Sequence, residues 1–128
     1  MNYSEQVELA KKFDMYEKND GLYWYINPFK VEPETDEAKE AQRILVDEVI
    51  ATREQRLEDA IKNCNDAFFA KAIRSFVFFY NTCKDHGYQP KTKFEPVMDL
   101  FKTIVGLKRI SAARLLEAKR KTLYILGK

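Results

Sequence analysis

The stretch DAFFAKAIRSFVFFYNTCKDHG, residues 66–87, is apolar on nearly every side when wound at 100° per residue. Phe68, Phe69, Ile73, Phe76, Val77, Phe78, Phe79 and Tyr80 surround much of its circumference, and no glycine or proline interrupts it before Gly87. A helix of that kind belongs in the middle of a bundle. Asn63-Cys64-Asn65-Asp66 combines C-capping and N-capping residue types and predicts a reversal into this helix, and His86-Gly87 predicts its end.

Toward the C-terminus, Tyr88–Phe94 reads as a polar connection, and Glu95-Pro96 opens a fourth helix with Val97, Leu100, Phe101, Ile104 and Leu107 on one stripe. Gly106 interrupts, and Ser111 caps a last helix running to about Leu126. In that helix Ala112, Leu115, Leu116, Leu123 and Leu126 are expected on the inner side. Arg114, Glu117 and Lys121 are expected on the outer side, and Lys119 falls on the apolar side, where its stem would have to snorkel or its charge find a carboxylate.

Toward the N-terminus, Pro33-Glu34-Thr35-Asp36 starts a long second helix reaching Cys64, with a bend or exposed middle expected at the polar stretch Thr52–Arg56. The preceding segment LYWYINPFKV, residues 22–31, is aromatic, β-favouring and broken by Pro28, so it reads as extended. A first helix is expected from Ser4 to about Lys18, capped by Asn2 or Ser4 and closed by Asn19-Asp20-Gly21. The predicted fold is all-α: a single domain over residues 1–128, a bundle of about five helices with a short extended aromatic segment near residues 22–31.

At 128 residues and 45% hydrophobic composition, a chain of this size buries roughly two-thirds of its unfolded surface, enough for a core without staples. No run approaches the roughly 20 apolar residues of a membrane span, and the first residues lack a basic-then-apolar leader, so a cytoplasmic location with no membrane partner is expected. Cys64 and Cys83 are too few for a disulfide framework. With a turn at Asn65 they stand on the order of 26 Å apart along the helix, which predicts two reduced thiols.

Charge is sorted along the chain. Residues 1–88 carry 12 Lys and Arg against 17 Asp and Glu, net −5, whereas residues 89–128 carry 10 against 3, net +7. A basic C-terminal third points to an anionic partner, either the phosphate backbone of DNA or RNA or an acidic protein surface. The expected binding residues are Lys108, Arg109, Arg114, Arg120 and Lys121, with Tyr23, Trp24 and Tyr25 as a second patch able to stack on bases or anchor a partner. The chain thus reads as a non-enzymatic accessory or regulatory protein that binds a macromolecule on or beside nucleic-acid machinery.

Two other functions compete. The acidic second helix of one copy meeting the basic fifth helix of another would make a homo-oligomeric structural protein. Glu37 and Glu40 form an ExxE pair, the spacing by which all-helical nucleotide pyrophosphohydrolases hold magnesium, but that pattern requires a later ExxD and none follows Glu40. No catalytic residue and no cofactor or metal site is assigned: no serine or cysteine has an evident base, and the lone His86 suits a helix C-terminus. A helix-turn-helix over Val97–Leu126, with Gly106 in the turn, is a further arrangement for the same basic segment.

Overall fold

The Asn2 side chain accepts from the Glu5 amide at 2.9 Å while the Glu5 carboxylate accepts from the Asn2 amide at 3.3 Å, a reciprocal capping box that starts α1 (Tyr3–Lys12). The computed structural model describes residues 1–18, 24–63 and 66–127. Five helices and one two-stranded ribbon occur among these residues, so the protein is all-α with a short extended aromatic segment, as its sequence predicts.

The first helix ends earlier than expected. Asp14 takes φ 58°, its amide bonds to the Lys11 carbonyl at 3.4 Å, and the Met15 amide bonds to the Ala10 carbonyl at 2.7 Å. This is a Schellman closure with aspartate where glycine is usual. Met15 and Ala10, the two positions whose contact accompanies such a closure, are both fully buried. Tyr16 therefore begins not a further helical turn but β1 (Tyr16–Lys18), which pairs antiparallel with β2 (Trp24–Ile26), Tyr16 opposite Ile26 and Lys18 opposite Trp24. The expected closing residues Asn19, Asp20 and Gly21 lie outside the described residues.

The second helix, α2 (Asp36–Lys62), is unbroken through Thr52–Arg56, where a bend was one expectation. Thr35 caps it, its hydroxyl accepting from the Ala38 amide at 3.1 Å. The chain divides into two compact units within α2, Met1–Ala51 and Thr52–Lys128. In the first, two buried glutamines tie the N-terminal elements to α2: Gln6 donates to Glu48 at 3.2 Å, and Gln42 donates to the Pro28 carbonyl at 2.9 Å. Each satisfies an amide that would be costly to bury unpaired.

The second unit is built on α3 (Asp66–Asp85), which buries Phe69, Ile73, Phe76, Val77, Phe79, Tyr80 and Cys83. Phe94, fully buried, meets Phe76 edge-on at 5.6 Å between centroids and lies 6.2 Å from Phe101. After a 3₁₀ turn at Glu95–Val97 come α4 (Met98–Val105) and α5 (Ala112–Ile125), the latter capped by Ser111, whose hydroxyl accepts from the Arg114 amide at 3.2 Å. The α3 terminus matches expectation: Gly87 takes φ 80°, its amide bonds to Lys84 at 3.0 Å, and the Tyr88 amide bonds to Cys83 at 2.8 Å. Cys83 is fully buried; Cys64 lies outside the described residues. One expectation for α3 fails, because the helix is not covered on every side: Phe68 and Phe78 are exposed beside Lys71 and Arg74.

Tyr80 is buried, stacks on Phe76 and donates from its hydroxyl to Glu95 at 2.6 Å. Burial, followed by this hydrogen bond and the nearby Glu95 charge, pushes its pKa up to about 12 from the usual 10.0. A raised tyrosine pKa contributes stability that is fully present below pH 10 and is lost as pH rises toward 12. Ultraviolet titration of tyrosinate should therefore resolve one group ionising near 12, and Glu95→Gln should move it down toward the ordinary tyrosine range. In the first unit, Asp14→Gly should raise the unfolding free energy by about 0.5–1 kcal/mol at high salt, where loss of the exposed ion pair with Lys30 is screened: relief of left-handed strain less the freedom gained by an unfolded glycine. Urea denaturation followed by fluorescence of Trp24, the chain's one tryptophan, measures it.

Candidate functional site

The structural division sharpens the charge division. Met1–Ala51 carries 6 Lys and Arg against 12 Asp and Glu, net −6, and Thr52–Lys128 carries 16 against 8, net +8. The boundary seen along the sequence at residue 88 thus moves back to residue 51, and α3 joins the basic part. Compact units of opposite sign are the electrostatic frame for every candidate site.

In the basic unit, α5 does not turn its expected face inward. Its buried residues are Leu115, Ala118 and Thr122, whereas Leu116 is 49% exposed. At 100° per residue this places the inner face about 80° around the helix from the leucine stripe. Thr122 tolerates burial because its hydroxyl donates to the Ala118 carbonyl at 2.6 Å. Lys119, moved from the centre of the expected apolar stripe to the margin of the real one, is 15% exposed; it pairs with Asp66 of α3 and lies over the Phe69 ring at 5.7 Å. It is a helix-to-helix tie and not a free cation.

The remaining basic residues separate into two groups. Lys93 pairs with Glu58, Lys121 lies 3.6 Å from Glu117 one turn earlier, and Lys102 and Lys84 lie over the Tyr80 ring at 5.5 and 5.4 Å. Lys91, Lys108, Arg109, Arg114 and Arg120 are exposed and form no ion pair among the described residues. Lys128 lies outside the described residues. Of the five expected cationic contacts, Lys108, Arg109, Arg114 and Arg120 are thus open to a partner, and Lys121 is exposed within a weak surface pair.

Lys108 and Arg109 stand three and two residues before the α5 N-cap Ser111, Arg114 occupies the first turn, and no acidic residue is present there. The positive end of the helix dipole disfavours all three. Arg120 and Lys121 lie toward the opposite, negative end. The connection from Gly106 to Ser111 is longer than the three- or four-residue turn of a helix-turn-helix, which argues against that arrangement.

The aromatic patch belongs to the acidic unit. Trp24 is 54% exposed and stacks on Tyr16 at 5.3 Å with the rings 21° from parallel, and Lys11 lies over Tyr16 at 5.4 Å. These residues and Asp14 line a surface cavity of about 450 Å³. Tyr25 is committed to Glu17, and together with Asn27, which donates at 2.7 Å, it holds that carboxyl below its usual pKa. Tyr23 lies outside the described residues. A second groove, of about 510 Å³, is lined by Leu9, Phe13, Ala41 and Ile44 together with Lys12 and the three carboxylates Asp36, Glu37 and Glu40.

The magnesium pair is not poised to hold an ion. Arg43 donates to both oxygens of Glu40, and this hydrogen bonding keeps the Glu40 carboxyl below its usual pKa. Among the described residues no three His, Cys, Asp or Glu side chains converge as a metal site, and no helix is long and apolar enough to cross a membrane.

Two exposed aromatics stand apart from the sequence pattern: Phe78, which that pattern puts in the core, is 72% exposed, and Tyr124 is 86% exposed. An aromatic preceded by an arginine at four residues was the only sequence signal available. Compared with known proteins, the chain matches no family model, no curated protein and no solved structure. The class defined by fold and surface is an all-α protein with a cationic last helix.

Arg114→Ala should separate binding from folding. Removing a cation from the first turn is expected to raise stability by about 0.3–1 kcal/mol at low salt, whereas Lys119→Gln, breaking the tie to Asp66, should lower it. Thermal unfolding of the two variants at low and high salt reads both signs.

Proposed function

We propose that this chain is a non-enzymatic, accessory or regulatory protein that binds a polyanion, the phosphate backbone of a nucleic acid, through the cations on and before α5. The observation that carries this reading is the group Lys108, Arg109, Arg114 and Arg120: exposed, without carboxylate partners among the described residues, and set in a unit of net +8. Each contact with a phosphate releases condensed counterions, so the driving force needs no base sequence. The unfavourable clustering at the α5 N-terminus supports the same conclusion, since natural proteins retain such local frustration where a partner relieves it.

Nucleic-acid affinity should fall steeply and linearly on a log-log plot against salt. Arg114→Ala and Arg120→Ala should each reduce the slope by about 1. Filter binding or fluorescence anisotropy across a salt series measures this, and absence of binding to both DNA and RNA at low salt rejects the reading.

A second reading is favoured by the acid-lined groove of the first unit. The Asp36, Glu37 and Glu40 carboxylates, together with Leu9 and Ile44, complement a basic helix with apolar residues, as α5 of another copy is. Made reciprocally, such a contact joins two copies as a two-fold dimer. Sedimentation at several concentrations and salt levels separates the two, because this assembly dissociates as salt rises and a monomer throughout excludes it.

A further inference from the structure

Phe78 on α3 and Tyr124 on α5 are the two most exposed large hydrophobic side chains among the described residues, and both belong to the basic unit. Each has an exposed arginine four residues before it, Arg74 and Arg120. In an α-helix that interval sets the two side chains on one face, a turn apart. Lys71 extends the α3 stripe by one further turn, and Lys121 stands beside Arg120. Neither aromatic ring has a ring or hydrogen-bond partner among the described residues, and neither arginine has an ion-pair partner there. Phe76 and Phe79, the aromatic residues flanking Phe78, are buried. Two helices of one unit thus carry the same outward pair, a guanidinium and a bare ring, where an exposed lysine or glutamate would keep a helix face soluble.

We propose that Arg74–Phe78 and Arg120–Tyr124 are two nucleotide-holding pairs, and that the polyanion bound by this unit is a single-stranded nucleic acid. This rests on the phosphate-binding reading above and adds to it the kind of strand. Cations alone do not distinguish single strands from duplexes, because both present phosphates. A ring does distinguish them: the bases of a duplex hide their faces in the stack, whereas a single strand can lay a base on an exposed aromatic side chain. With the arginine one turn away, the phosphate of a nucleotide meets the guanidinium while its base covers the ring. The carboxylates of an acidic protein surface would meet the arginines, but the electron-rich ring face disfavours them. Stacking is tolerant of base identity, so the pairs require no sequence preference.

The test is fluorescence anisotropy with a labelled mixed-sequence single-stranded oligonucleotide of about 16 nucleotides and the duplex of the same sequence. The single strand is expected to bind more tightly, by roughly 5-fold or more from stacking. Phe78→Ala and Tyr124→Ala should each weaken single-strand binding by roughly 5- to 100-fold and leave duplex binding and the salt slope unchanged. Tyr124→Phe, which keeps the ring, should retain the parent affinity, and unchanged thermal unfolding of all three variants shows that the fold is intact. Equal binding of single strand and duplex, with ring variants like the parent, overturns this inference while leaving the phosphate reading in place. No binding of either nucleic acid at low salt overturns both. A concentration-dependent dimer that is lost in Phe78→Ala or Tyr124→Ala, with nucleic-acid binding unaltered, assigns the rings to self-association and also overturns it.

Discussion

Edge-on packing of Phe94 against Phe76, with Phe101 beside it, is the contact on which the second unit depends. Phe94 follows the connection out of α3 and precedes the turn into α4, so seating it on α3 draws the next helix onto the same core. Val97, Met98, Phe101 and Ile104 then bury, and α5 closes the unit with Leu115, Ala118 and Thr122. Small side chains at 118 and 122 allow close helix approach. Once those three positions are committed to the interior, helical geometry sends Ala113, Arg120 and Tyr124 outward with no freedom left.

Electrostatics follows from that packing. Unit 2 gathers twice as many cations as anions, yet its interior ties consume only some of them: Lys93 goes to Glu58, Lys119 to Asp66, and Lys84 and Lys102 to the faces of Tyr80. Lys119, the least exposed of these, has both a carboxylate and a ring face, as suits a charge largely withdrawn from water. Arg53, also partly buried, meets a ring face. It lies over Phe79 at 5.0 Å, and burial, with Arg56 nearby, pushes its pKa down to about 10. The unmatched cations are instead on the surface, where holding them costs little and where they meet whatever arrives from solution.

Much of the fold was legible because its signals are local. The Thr35 cap of α2, the Ser111 cap of α5 and the Gly87 closure of α3 each depend on a side chain or φ angle within a few residues. The end of α1 was not legible, since the residue that closes it is aspartate rather than glycine, and Tyr16 keeps helical spacing until β2 offers it a strand partner. The cationic site was legible as a list of residues but not as a surface. Lys119 looked misplaced only because the inner face of α5 was drawn through Leu116 and Leu123, and Phe78 could not be told from Phe76 or Phe79 by identity.

Residue order by itself determined where α2 and α5 start, where α3 stops and that the C-terminal part is basic, since caps, propensities and net charge act within a few residues or simply add. Tertiary structure alone decided which side of α3 and α5 faces water, which lysines are neutralised, and that the charge boundary falls at Ala51. Those outcomes depend on partners such as Asp66 for Lys119, 53 residues away, and no local pattern encodes a neighbour that distant.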